Sequence, residues 1–245
     1  MIKFFRKIRQ KLLSENKFSK YLIYAIGEIV LVMIGILMAL QVTNWNNRRI
    51  EKKKEANYIE NINKQFQLNR AQLDTVTFFH QKAYTNATKI LNLVPIDIDK
   101  INKDSLSYYV TETFYNYTFN PQNSTIDVLT NTSDFEIISN LELRGLLQNW
   151  KELVKDYQEE EVSFQRYFLD SYIPYFKNHI SYPNFFNNKN IFDDINVDYS
   201  FVSSLEFQNM IALQKKFVSN IILEPEFKEV NETINHIIEL TNSEK

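Results

Sequence analysis

Residues 59–94 read IENINKQFQLNRAQLDTVTFFHQKAYTNATKILNLV. Their apolar positions step alternately by three and four, through Ile59, Ile62, Phe66, Leu73, Val76, Ala83, Ala87, Ile90 and Val94. Asn69 and His80 fill the two places left over in this register. A period of about 3.5 residues, kept up for about five heptads with no proline before Pro95, predicts one long helix packed along its length. Asn69 and His80 are therefore the candidate seam-specifying polar residues. In a coiled coil a polar seam residue sets register and partner number, whereas in a bundle it is a core side chain satisfied inside the chain. The sequence leaves both readings open.

Upstream, residues 44–57 contain neither proline nor glycine, so the helix is expected to run back into Tyr21–Val42, YLIYAIGEIVLVMIGILMALQV, where Glu28 is the single charge. At about 1.5 Å per residue such a helix is long enough for a hydrocarbon layer of roughly 30 Å. Tyr21 and Tyr24 at one end and Trp45 at the other stand where interfacial aromatics collect. No small-x-small cleavage site follows Leu40, which favours an uncleaved anchor over a signal peptide. Glu28 lies inside the apolar stretch, where an ionisable group is costly and usually partnered. On a helix it shares a face with Gly35 and Ala39, and Gly35-x-x-x-Ala39 is a spacing that lets a second helix approach closely. Glu28, Gly35 and Ala39 are accordingly the candidate membrane helix-contact stripe.

Charge flanks this segment on both sides. Residues 1–20 carry seven Lys/Arg against Glu15, residues 48–55 carry five against two acids, and residues 56–245 carry 16 basic against 26 acidic side chains. The positive-inside rule favours a cytoplasmic N-terminus, with the long C-terminal part translocated. MIKFFRKIRQKLL, with Phe5, Ile8 and Leu12 among basic residues, then reads either as a short amphipathic helix on the anionic inner leaflet or as a plain basic flank. The acidic body has the wrong sign for tracking phosphates, so no nucleic-acid partner is expected. The expected divisions are a basic cytoplasmic segment 1–20, a transmembrane helix 21–45 and a helical extracytoplasmic domain 46–245.

Two blocks carry a family resemblance. KFFRKIRQKLL followed by KYLIYAIGEIVLVMIGILMALQVTNWNN resembles the opening of a family of single-pass membrane proteins of diderm bacteria, classed as a domain of unknown function. FNPQNSTIDVLTNTSDFEIISNLELRGLL, from Phe119 to Leu147, is similar to that family's central signature, except that Ser133-Asp134 stands where the family pattern has a glycine. The resemblance implies an inner-membrane protein with a helical periplasmic domain, and it supplies no activity.

Downstream, Pro95–Lys103 reads as a loop, with Asp104 or Ser105 capping a short helix through Tyr115. Pro121 and Asn123-Ser124-Thr125 mark the next start, Asp127 standing three residues after Ser124 as in a capping box, with a helix to about Asn131. A second long helix from Ser139 to about Ser171 presents Leu143, Leu146, Leu147, Trp150, Leu153, Tyr157, Phe164 and Phe168 on one side. Pro174 and Pro183 bound an irregular aromatic stretch, Ser203 or Ser204 opens the last helix, and Pro225 kinks or breaks it. The fold class expected is all-α: one N-terminal transmembrane helix continuing into an antiparallel bundle of long helices.

Composition limits the chemistry. The 245 residues include three glycines and no cysteine. P-loops, dinucleotide-binding G-x-G-x-x-G turns and nucleophile elbows cannot be built from so few glycines, and thiolate chemistry is absent. Gly145, alone outside the apolar stretch, falls inside a predicted helix and suggests a tight helix crossing or a misplaced boundary. His80, His179 and His236 form no H-E-x-x-H, although Glu232 and Glu239 flank His236 at helical spacing. Asp194, Asn196 and Asp198, and separately Asp97 and Asp99, offer acidic loops without the remainder of a calcium site. Glu159-Glu160-Glu161 reads as a solvated helix face, and the many Tyr and Phe as core rather than a ligand groove. The expectation is no enzyme, no cofactor and no metal, but a membrane-anchored interaction or scaffold module with a protein partner or homo-oligomer. A sensory or accessory subunit is the alternative, with a metal-dependent enzyme behind it; any small-molecule ligand is unknown.

Overall fold

A computed structural model describes residues 10, 18–194 and 198–242. The basic segment with Phe5, Ile8 and Leu12, and Asn196 of the acidic loop, lie outside the described residues. The chain divides into two compact units, residues 1–56 and 57–245. Among the described residues there is helix and no strand.

The first helix, α1 (Phe18–Asn92), runs unbroken for 75 residues, as the absence of proline and glycine from residues 36–92 allows. In the first unit its side chains from Leu22 to Lys54 are exposed, with Ala25 and Glu28 half-buried. This is the one helix among the described residues long and apolar enough to cross a membrane.

The second unit begins where the seam begins. Ile62, Phe66, Leu73, Val76, Ala83, Ala87 and Ile90 of α1 are buried, as the three-four spacing predicts. They meet α4 (Leu141–Tyr167), which buries Leu143, Leu147, Trp150, Val154, Tyr157 and Phe164. Before it come α2 (Lys103–Glu112) and α3 (Ser124–Asn131), and after it the short α5 (Ile173–Lys177) and α6 (Tyr182–Phe186). The last two helices are α7 (Leu205–Leu223) and α8 (Pro225–Thr241).

Contacts fix the directions. Phe66 meets Trp150 edge to face at 4.9 Å and His80 meets Phe164 at 5.9 Å, so α1 and α4 run the same way. Asn63 bonds Thr241 while Arg70 reaches Asn231 and Asn235, so α8 runs against α1. His236 lies by Glu142 and Phe227 by Tyr157, so α8 also runs against α4. The bundle is thus closed by α7 and α8 returning antiparallel to two parallel helices, and residues 93–140 form the crossover between those two.

Local chemistry sets most boundaries, with some departures from expectation. Asn102, not Asp104 or Ser105, caps α2 by accepting from the Ser105 amide at 2.8 Å. Asn140 caps α4 and Ser204 caps α7 in the same way. At α3 the capping box does not form. Asn123 holds the cap position but its Oδ1 accepts from Trp150 Nε1 at 2.8 Å, and Asp127 pairs with Lys151. Pro174 does not stop the second long helix, because the wider π turn Phe168–Tyr172, with the Ile173 amide bonded to Phe168 O, delivers the proline to the second position of α5, where no N–H is needed. Pro225 does break the last helix, opening α8 as its first residue. Ser133 adopts the left-handed conformation, φ 57°, ahead of a 3-10 turn Asp134–Ile137, which is the geometry a glycine takes without strain.

Gly145 is the reverse case. It sits inside α4, and a Cβ built on it would meet nothing within 4 Å, so neither a tight crossing nor a boundary accounts for it. Gly145→Ala should therefore stabilise the chain by about 1 kcal/mol through helix propensity alone, measurable as a raised thermal midpoint by circular dichroism. A lowered midpoint would contradict the open space around this position.

Candidate functional site

Two places in the chain combine unusual residues with geometry. The first is the helix face of the first unit. Glu28, Gly35 and Ala39 lie on α1 at helical spacing, with Glu28 half-buried and the other two exposed. A Cβ on Gly35 would meet no atom within 4 Å, so the surface above it is open to an approaching helix. Tyr24 and Trp45 are exposed toward the two ends of the apolar stretch.

The second place is the crossover segment 113–123, which has no regular structure of its own and is held by side chains from α1 and α4. Asn69 (1% exposed) treats Gln122 as a strand would, donating from Nδ2 to Gln122 O at 3.0 Å and accepting the Gln122 amide on Oδ1 at 2.8 Å. Gln65 also donates to Gln122 O and accepts the Thr125 amide at 3.0 Å. His80 lies at 2.8 Å from Tyr117 O through Nε2, which must carry the proton because a carbonyl can only accept. Burial holds the His80 imidazole down to about 4, against the ordinary 6.5, so it is neutral at physiological pH. Both polar seam residues of α1 thus spend their hydrogen bonds inside the chain.

From the other side, Glu161 of α4 accepts the Phe119 amide on both carboxylate oxygens, at 2.9 and 3.1 Å, and Gln158 donates to Phe119 O at 2.8 Å. Glu161 is 2% exposed, which corrects its reading as part of a solvated acidic face. The signal was available: Leu143, Leu147, Trp150, Val154 and Tyr157 alternate steps of four and three, and the next step lands on Glu161 before Phe164. Burial raises its carboxyl to about 8, against the opposing effect of the Phe119 hydrogen bond. Phe119 itself is fully buried, packed edge-on against Trp150 and Tyr157.

The other polar candidates are placed apart. His236 lies 3.3 Å from Glu142 of α4, while Glu232 turns to Lys228. His179 bonds Tyr175 O at 2.7 Å and stacks on its ring. Asp97 pairs with Lys100 and Asp198 accepts from Ser200. Among the described residues no three His, Asp or Glu side chains gather where a metal ion would sit. The aromatic-rich stretches enter the core, with the Phe114 ring meeting Phe168, Tyr172, Phe176 and Phe185.

These features define a helical protein with one long N-terminal apolar helix that fits a single membrane crossing, and a helical bundle whose crossover is clamped by buried polar side chains. The chain belongs to the family of unknown function DUF6090, which it matches over residues 28–157, more than half its length. That match begins at Glu28 and takes in Asn69, His80 and the whole crossover. No curated protein and no solved structure matches the chain.

Proposed function

We propose that the protein is a membrane-anchored interaction or scaffold module, its bundle on the periplasmic side of a bacterial inner membrane and its N-terminus in the cytoplasm. One observation supports this reading best: Glu28, Gly35 and Ala39 share a face of the apolar helix, and the space above Gly35 is open. A small residue lets a second backbone come close, and a carboxyl group at membrane depth gains from a polar partner on that helix. The partner on this reading is another membrane helix, from a second copy or a different protein, so the module works as a scaffold or as an accessory or sensory subunit rather than as an enzyme. Seven basic residues before the span against five after it support the orientation.

Crosslinking in native membranes tests the proposal. Gly35→Leu is expected to abolish the main crosslinked species and Glu28→Gln to weaken it, while Leu37→Ala, roughly on the opposite face at about 100° per residue, leaves it intact. Identical crosslinking in all three would remove the contact stripe. A C-terminal reporter active only in the cytoplasm would overturn the orientation.

A further inference from the structure

The first unit carries a second feature, beyond the apolar stretch and separate from the contact stripe. Residues 45–54 read WNNRRIEKKK, and all of them are exposed on continuous helix. Taking about 100° per residue and setting Trp45 at zero, Lys52 falls at about −20°, Arg49 at +40°, Arg48 at −60° and Lys53 at +80°. Four cations thus occupy an arc of roughly 140° centred near the indole, whereas Glu51 and Glu55 fall outside it and Lys54 lies about opposite. The basic charge is a face, not a collar. Along the axis Arg48 and Arg49 stand about 5–6 Å beyond Trp45 and Lys52 and Lys53 about 11–12 Å beyond, within reach of long side chains that bend back toward a membrane surface. On the same scale Glu28, Gly35 and Ala39 cluster near +80 to +120°, so a helix packed on them leaves most of the basic arc facing lipid.

We propose that Trp45, Arg48, Arg49, Lys52 and Lys53 form a docking face for the headgroup of an anionic phospholipid. Charge complementarity and position argue for this occupant together: the phosphate of such a lipid lies at the depth just beyond an interfacial tryptophan, and its acyl chains run beside the apolar helix that continues from the face. Arginine supplies paired donors to phosphate oxygens, and lysine adds charge that need not be aligned.

The full chain, reconstituted into phosphatidylcholine vesicles containing an equal small fraction of bromine-labelled phosphatidylglycerol or bromine-labelled phosphatidylcholine, gives a direct readout, since bromine quenches tryptophan at short range. Trp45 is expected to be quenched more strongly by the labelled anionic lipid. Lys52→Gln should lower that preference by roughly fivefold, the usual strength of one basic residue at an anionic surface, and high salt should remove it. Lys54→Gln, off the face, should leave it unchanged. Equal quenching by both lipids, no quenching by either, or equal losses in the two lysine variants would each overturn the proposal. Gly35→Leu is expected to have no effect on this readout, which separates the lipid face from the contact stripe.

Discussion

Between pH 6.5 and about pH 9 the full chain in mild detergent should lose about 2 kcal/mol of folding stability, and Glu161→Gln should lose almost none. The cause is the buried carboxyl beneath Phe119. Its folded value of about 8 stands above the ordinary 4.5, so the folded chain holds a proton that the unfolded chain has released. Stability from this group is complete below pH 4.5 and is lost as pH rises through 8. His80 works in the opposite direction: its folded value of about 4 lies below 6.5, so its contribution is complete above pH 6.5 and lost as pH falls toward 4. Between pH 4.5 and 6.5 the two effects nearly cancel, and above that window Glu161 acts alone. Denaturant unfolding at a series of pH values, followed by helical circular dichroism, measures the slope. A wild-type curve flat from pH 6.5 to 9, or a Gln variant with the same slope as wild type, would refute this account of Glu161.

Asn69→Ala should cost about 2–4 kcal/mol, the sum of a buried amide left without an acceptor and a small void. The Gln122 N–H loses its only acceptor in the described structure, while Gln122 O keeps Gln65. The sign of the result also speaks to the two readings of a polar seam residue. A large loss of stability with an unchanged oligomeric state follows from a side chain that serves its own crossover. A changed oligomeric state with unchanged stability would instead assign Asn69 to a seam between chains.

The contrast between α1 and the crossover explains what was legible in the sequence. Ile62 to Ile90 announce their helix because a buried stripe must repeat with the helix period, and every seam position from Ile62 to Ile90 is buried. Ser204 and Pro225 are equally direct, since a hydroxyl cap and a missing amide act within one turn. The crossover has no period to read. Its order comes from side chains about 40 to 60 residues away, as when Gln65, Asn69 and Glu161 complete the backbone of residues 119–125. Glu161 was hidden for a related reason: next to Glu159 and Glu160 it looks like solvent-facing charge, and only the continuation of the Leu143–Tyr157 register places it inside. Pro174 misled because one extra residue in the turn before it restores a helix that an ordinary turn would have ended. Glu28, Gly35 and Ala39 were fully visible as residue types on one helix face, but on the proposed reading what meets that face belongs to another helix, and a single chain does not encode the identity of its neighbour.

The bonds from Asn63 to Thr241 and to Ile238 O place the first turns of the bundle beside its last ones. Tension applied between Asn57 and Asn242 would therefore pull apart a pair of adjacent ends, opening the α1–α8 contact one turn at a time. Bonds loaded in succession yield at lower force than bonds loaded together, so the unit is mechanically soft along that line. The same proximity means that a protein fused after Asn242 would be held close to α1 at Asn63, at the edge of the bundle where the long helix enters it.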